Sequence, residues 1–240
     1  MKIVEYFLSI QGEGAFSGRI SYFIRFAGCN LNCVGFKNKR VKDGLELVGC
    51  DTLKAVYTSN FCDEYIDFDP DFFKSELLKL GFKPCVILTG GEPMIHHKNN
   101  SFYDFVVWLL DSGYEVCFES NATIELDFIN YPRYLECVFA LSVKLSNSGI
   151  EKQKRIKPKS IQSYMGAKYV FYKFVLDKDM LDEILEVQKI QKYDIFCMPL
   201  GGDKKELEKN SLKVFDFCVK NGFNYSDRLH IRLFDNKEGV

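Results

Sequence analysis

Ile20-Ser21-Tyr22-Phe23-Ile24-Arg25-Phe26-Ala27-Gly28-Cys29-Asn30-Leu31-Asn32-Cys33 is an apolar run that empties into a loop carrying two cysteines. Ile20 to Phe26 is rich in β-branched and aromatic residues and reads as a strand. Cys50-Asp51-Thr52 comes seventeen residues after Cys33, and this third thiol can fold back onto the first two if the intervening segment loops out. Three thiols without a fourth close by argue against a structural zinc site, which takes four protein ligands. Iron–sulfur clusters are normally held by four thiolates. A cluster gripped by three leaves one iron open to a small molecule.

Around that stretch a strand followed by a helix recurs. Val4 to Ile10 reads as a strand before the glycine-bearing loop Gln11-Gly12-Glu13-Gly14, and Gly35 to Gly49 as a polar, lysine-bearing insertion. Pro70 to Leu80 reads as a helix started by Asp69-Pro70 and stopped by Gly81, and Phe102 to Leu110 as the next. Val86 to Thr89, Glu115 to Glu119, Val138 to Val143, Tyr169 to Leu176 and Ile195 to Pro199 read as strands. Met180 to Ile190 reads as an amphipathic helix, and Asp203-x-x-Glu206 as a capping box for a helix running to Val219. Leu229 to Phe234 is expected to close the chain as a last strand.

Such alternation predicts an α/β fold with a parallel sheet. Ligands should then gather after the strands' carboxyl ends, where Gln11, Cys29, Thr89-Gly90-Gly91-Glu92, Glu119-Ser120-Asn121, Ser142-Val143-Lys144 and Met198-Pro199-Leu200-Gly201 fall. The sheet is short for eight βα units, so an incomplete, partial TIM-type barrel with an open side is expected. No repeat or linker divides residues 1–240, which read as a single domain with an insertion at about 35–49.

Composition narrows the function classes. The chain has 240 residues, 47% apolar and 27% charged, enough for a sizeable core. A net charge of −1 argues against nucleic-acid binding by bulk electrostatics. No apolar run reaches the length of a membrane span, and the start lacks a signal peptide's features, so a cytoplasmic protein is expected. Of nine cysteines, Cys85, Cys117, Cys137, Cys197 and Cys218 read as buried hydrophobes, while Cys62 lies in a polar loop. A disulfide framework is not expected in that compartment.

Each polar candidate has a bland reading. Thr89-Gly90-Gly91-Glu92-Pro93 is either an ordinary turn or a loop whose glycines let backbone groups approach a ligand, with Glu92 accepting from an amine. Arg25 shares a strand face with Phe23 and is either a surface residue or a carboxylate clamp. Lys144 at a strand end is more often solvated than catalytic. His96 and His97 read as loop residues, and His230 as part of the last strand with its role open.

Taken in order, these motifs resemble a known family. Cys29-x3-Cys33 with a third cysteine, and Gly90-Gly91-Glu92-Pro93, resemble the radical S-adenosylmethionine superfamily. Leu8-Ser9-Ile10-Gln11-Gly12-Glu13-Gly14, Arg25-Phe26-Ala27-Gly28-Cys29-Asn30-Leu31, Cys50-Asp51-Thr52 and Ser142-Val143-Lys144 are similar to the 7-carboxy-7-deazaguanine synthases of the queuosine pathway. The family's usual spacing is Cys-x3-Cys-x2-Cys, so the long gap before Cys50 is a departure. The Cys-Asp-Thr element favours Cys50 over Cys62 as third ligand, and loop closure grows costly only slowly with length.

The resemblance implies a radical S-adenosylmethionine core in which Cys29, Cys33 and Cys50 hold a [4Fe-4S] cluster. S-adenosylmethionine would be bound by Gly49, Cys50, Asp51, Gly90, Gly91, Glu92, Ser142, Val143 and Lys144, and by the loop Met198, Pro199, Leu200 and Gly201. Thr52 would ligate Mg²⁺, which prefers oxygen. Ile10, Gln11, Gly12, Arg25 and Thr89 would hold 6-carboxy-5,6,7,8-tetrahydropterin, with Arg25 on its carboxylate. The implied reaction is radical ring contraction to 7-carboxy-7-deazaguanine with loss of ammonia. Implied partners are an external one-electron reductant such as flavodoxin and a second copy in a homodimer. A glycyl-radical-activating enzyme and a non-catalytic zinc-binding module are the alternatives. The loop Ile10 to Gly14 and the Cys-Asp-Thr element argue against the first; colourless, stoichiometric zinc binding would mark the second.

Overall fold

The computed structural model describes residues 1–237 and 239. Strands β1 (Lys2–Ile10) and β2 (Ile20–Phe26) pair antiparallel, with Glu5 opposite Arg25 and Ile10 opposite Ile20. The insertion is a hairpin, β3 (Asn38–Lys42) and β4 (Leu45–Gly49). Its turn is Asp43-Gly44, where φ is +51° and +78°, the left-handed pair that a two-residue hairpin turn requires. Leu47 packs beneath it with Leu53 and Phe61. Short helices α1 (Leu53–Val56) and α2 (Thr58–Phe61) and strand β5 (Ile66–Asp67) return the chain to the edge of β1.

From there the chain alternates. Helix α3 (Pro70–Lys79) is capped by the Asp69 carboxylate, which accepts from the N–H groups of Asp71 and Phe72. Strand β6 (Cys85–Gly90), helix α4 (Asn100–Asp111), strands β7 (Val116–Ser120) and β8 (Val138–Leu141), and short helices α5 (Lys152–Arg155) and α6 (Pro158–Ser163) follow. Strand β9 (Tyr169–Leu176), helix α7 (Leu181–Ile190), strand β10 (Asp194–Pro199), helix α8 (Lys204–Asn221), strand β11 (Asn224–Tyr225) and helix α9 (Leu229–Phe234) complete the order. Half of the expected capping box is present: Asp203 accepts from the Glu206 N–H at 2.8 Å, while Glu206 reaches one residue farther back, to the Gly202 N–H at 2.8 Å.

The nine strands of the main sheet run β11-β10-β9-β8-β7-β6-β2-β1-β5, parallel from β2 through β11. The outer strands β5 and β11 do not pair with each other, so the fold is an incomplete, partial TIM-type barrel, as the sequence predicts. Strand parity divides the core into two faces. Tyr22, Ile24, Val86, Leu88, Phe118, Phe139 and Tyr172 join one large cluster with the helices. Phe23, Ile87, Cys117, Ala140 and Phe171 form a second, smaller cluster on the opposite face. That second face is the concave interior, and its next polar positions carry the site.

Three expectations change. Leu229 to Phe234 is helix α9: Arg232 donates its N–H to the Arg228 carbonyl at 3.2 Å and Asp235 to that of Ile231 at 2.8 Å. Six residues fit either period, and the Leu229 N–H is taken by the Gly12 carbonyl rather than by a strand. His96 and His97 do lie in the connection between β6 and α4, but it is a packed 3-10 turn rather than an open loop. His96 ends the 3-10 turn Pro93–His96 against Phe26 and Phe102, while buried His97 holds the Met94 carbonyl through Nδ1 at 2.7 Å. Finally, β1 runs against its neighbour, so Gln11 starts from the amino-terminal edge of the parallel strands and enters from the open side.

Candidate active site

Beyond Phe26 the chain crosses over the end of β6 before reaching Cys29, and that crossing needs glycine. A Cβ on Gly90 would lie 2.1 Å from the Phe26 carbonyl oxygen, and one on Gly91 2.1 Å from that of Gly28. Instead, the N–H of Gly91 donates to Phe26 O at 3.1 Å and that of Glu92 to Gly28 O at 2.8 Å. Gly90-Gly91-Glu92 thus seats the cysteine loop. Glu92 is 0% exposed and accepts from the N–H groups of Met94 (3.0 Å) and Asn121 (2.6 Å). Burial pushes its carboxyl up to about 7. Its side chain is therefore a brace between two loops, with one backbone N–H on each oxygen.

Cys33 is buried, and Cys29 and Cys50 are half-buried. Burial pushes the Cys29 thiol up to about 12, with Glu92, Cys50 and Cys33 adding to the effect. Burial also lifts Cys33 to about 11, against the pull of Lys144, and raises Cys50. Cys33 and Cys50 add to the rise at Cys29, and Cys50 to that at Cys33, and a bound cation is what would deprotonate the three at neutral pH. Cys62 is exposed, its Sγ donating to the Ser59 carbonyl at 3.7 Å. Among the described residues no three His, Cys, Asp or Glu side chains stand in closed metal-ligating geometry. The donor chemistry nonetheless fits a cluster: two soft, shielded thiols on one loop and a third at the foot of the β3–β4 hairpin.

The concave face carries a layer of charge above its apolar floor. Thr89 follows Ile87, Glu119 follows Cys117 and Lys173 follows Phe171, each two residues on and so facing the same way. Lys173, 4% exposed, donates from Nζ to Glu119 and to Glu13, both at 2.7 Å. Thr89 Oγ1 donates to Glu119 Oε2 at 2.8 Å, and Gln11 Nε2 to Glu119 Oε1 at 3.2 Å. Arg228 Nε donates to Glu13 Oε1 at 2.8 Å. Burial alone would raise Glu13, but Lys173, Arg228 and His230 hold it well below the usual carboxylate range. Glu119 is likewise held low by Lys173 against burial. Burial lowers His230, against the opposing pull of Glu13.

The remaining predicted residues take varied positions. Arg25 donates from Nε to Glu5 at 2.7 Å across the β1–β2 pair, so part of the expected carboxylate clamp is engaged within the chain. Ile10 ends β1, and a Cβ on Gly12 would lie 2.0 Å from His230 Nδ1. Thr52 Oγ1 lies 3.1 Å from Cys50 Sγ, and Gly49 ends β4 just before it. Asp51 accepts from Arg228 Nη2 at 2.7 Å. Ser142 donates its N–H to Ser120 O at 2.7 Å, Val143 is buried, and Lys144 Nζ lies 6.0 Å from the Phe36 ring centroid. Met198 and Pro199 end β10, Leu200 donates its N–H to Leu176 O at 2.8 Å, and Gly201 O accepts from Arg228 Nη1 at 2.5 Å.

Sequence reasoning placed Glu119 at a strand end and Glu13 in a motif without assigning either a role, and did not single out Lys173 or Arg228. One signal was available: Lys173 stands between Tyr172 and Phe174 in an otherwise apolar strand, and a buried cation requires a buried anion.

No family model matches the chain. Curated relatives do match. A protein from Clostridium acetobutylicum named 7-carboxy-7-deazaguanine synthase is 33% identical over 246 residues, covering 100% of this chain and 99% of that protein. One of the same name from Pyrobaculum aerophilum is 27% identical over 250 residues, covering 100% and 97%. Among solved structures, QueE from Escherichia coli aligns with a TM-score of 0.64 at 19% identity, over 94% of this chain and 92% of that one. SuiB from Streptococcus suis, bound to S-adenosylmethionine, aligns with a TM-score of 0.53 at 14% identity, over 85% of this chain and 51% of that one. At such identities these two likenesses speak to the fold alone.

Proposed function

The chain belongs to the 7-carboxy-7-deazaguanine synthase family, and from that premise we propose that residues 1–240 work as one catalytic unit, a radical S-adenosylmethionine lyase acting on 6-carboxy-5,6,7,8-tetrahydropterin. Cys29, Cys33 and Cys50 would hold a [4Fe-4S] cluster, and Gly90-Gly91 and Ser142-Val143-Lys144 would bind S-adenosylmethionine. When bound, the two supply a carbon radical that removes a hydrogen atom from the substrate. The observation that carries this reading is that Asp51, next to Cys50, is tied through Arg228 to Glu13 and so to the buried layer of ionised groups.

That layer suits a flat heterocycle rich in N–H donors. Glu13 and Glu119 are kept ionised by Lys173 and Arg228, so both remain acceptors at neutral pH. Gln11 and Thr89 already donate to Glu119 and fix where its oxygens point. Phe23, Ile87 and Phe171 form the apolar floor beneath them. Arg25 serves the substrate carboxylate with the guanidinium edge that Glu5 does not take. Thr52 contributes an oxygen to Mg²⁺ beside the substrate. Turnover needs an external one-electron reductant such as flavodoxin; the chain acts in the cytoplasm as a homodimer. Among the described residues no helix is long and apolar enough to cross a membrane.

The test is anaerobic reconstitution with iron and sulfide, then incubation with the pterin, S-adenosylmethionine and reductant, with mass analysis of products. A product of 7-carboxy-7-deazaguanine mass with one equivalent of ammonia is expected. A colourless protein holding stoichiometric zinc and leaving S-adenosylmethionine uncleaved would refute the proposal.

A further inference from the structure

We propose that Arg228 is a positioning residue that locks three loops around the mouth of the barrel into one arrangement. It is 7% exposed and stands just before α9. Its three nitrogens serve three separate stretches of chain. Nε donates to Glu13 in the loop after β1 at 2.8 Å, Nη1 to the Gly201 carbonyl after β10 at 2.5 Å, and Nη2 to Asp51 beside the third cysteine at 2.7 Å. A planar guanidinium presents donors in a fixed fork, so satisfying three partners fixes their relative positions as well as their charge. Glu13 and Asp51 repel one another, and the cation between them is what lets both approach.

The backbone beside Arg228 reinforces the lock on one side only. Leu229 donates its N–H to Gly12 O at 2.9 Å, and Ser226 Oγ accepts from the Gly14 N–H at 2.7 Å. Asp227 orients the segment from within, accepting from the Arg228 N–H at 2.8 Å and from Arg232 Nε at 2.9 Å. The C-terminal segment is thus stapled to Gly12–Gly14 by several bonds, but its hold on Asp51 runs through the guanidinium. Glu13 also keeps Lys173 as a partner, so losing Arg228 leaves that carboxylate paired. What is lost is the connection between the substrate loop and the cysteine loop. This inference rests on the proposed function in taking Gln11–Gly12 to hold substrate and Cys50 to hold the cluster.

The test compares wild type, Arg228→Met and Arg228→Lys as reconstituted holoenzymes. Without substrate, amide hydrogen exchange in Arg228→Met should quicken on the order of tenfold in residues 12–14, 50–54 and 229–232, with β6 to β8 unchanged. Iron and sulfide content should equal wild type. With substrate, KM for the pterin should rise about tenfold while kcat falls by a smaller factor, marking lost alignment of the bound state. Arg228→Lys should restore protection at residues 12–14 but not at 50–54, because a point charge cannot serve both sides. Unchanged exchange and unchanged KM in Arg228→Met would overturn the inference. If Arg228→Met does not fold, Asp51→Asn carries the same test: exchange should quicken at 50–54 and 229–232, and no change there overturns it. The exchange arm needs no pterin, so a wild type that fails to convert pterin refutes the proposed function while leaving this reading to its own result.

Discussion

Lys173→Met removes a cation that touches two carboxylates at once, and the cost follows from the geometry. Each contact is 2.7 Å long and Lys173 is 4% exposed. At an effective dielectric of ~20, a contact of that length amounts to about 6 kcal/mol of gross attraction, most of it offset by desolvation. Breaking such a pair from one side costs about 3–5 kcal/mol, and the lower end applies because Glu13 keeps Arg228. For a chain of this size that corresponds to roughly 6–12 °C in Tm. The pH dependence gives the sharper signature. In wild type Glu13 and Glu119 sit below the ordinary carboxylate value of 4.5, so their stabilisation is present above that pH and lost as pH falls through the lowered values. Without Lys173, burial lifts Glu119, and the variant regains stability as that group protonates on acidification. The difference between the two proteins should therefore be widest near neutral pH and shrink below about pH 5. Urea unfolding of anaerobic samples from pH 8 to pH 4 measures it. A difference under about 1 kcal/mol at pH 7, or one flat with pH, would refute the assignment of a charge-locked interior.

Cys50→Ala should abolish the reconstituted cluster's absorbance and Cys62→Ala should leave it intact; the reverse outcome reassigns the third ligand. In metal-free protein at pH 8, iodoacetamide should label exposed Cys62 first and Cys29 and Cys33 slowly, since burial holds those thiols near 12 and 11; the two lagging thiols should catch up as pH rises. Gly91→Ala should destabilise by about 2 kcal/mol or more and lower cluster yield, because the new Cβ would press on the Gly28 carbonyl 2.1 Å away. Ala122→Gly should raise stability by about 1 kcal/mol in thermal unfolding, because Ala122 holds a left-handed backbone at φ +62°.

The strands were legible where apolar runs end at a glycine or a charge, and β2 and β9 have the limits read from the sequence. Leu229 to Phe234 was not, because a run of six fits both periods and its outcome is decided by contact with Gly12. Asp43-Gly44 carried a hairpin signal that the description of a polar insertion passed over. In the site, the cysteines and glycines announce themselves by residue type and spacing. Lys173 and Arg228 do not, because their meaning lies in partners more than fifty positions away, Glu119 and Glu13 for the first and Glu13 and Asp51 for the second. Glu92 shows the converse: a residue picked out by its motif whose carboxylate also holds the scaffold, which the motif alone did not reveal.

The β3–β4 hairpin leaves and rejoins the cysteine loop through residues that face each other, Asn38 opposite Gly49. However far the two strands extend outward, their feet stay side by side, so Cys50 is delivered to the same place. The length of that detour is thereby uncoupled from the chemistry it interrupts. It is a splice point, where a longer, shorter or foreign ribbon could be grafted without moving a sulfur atom.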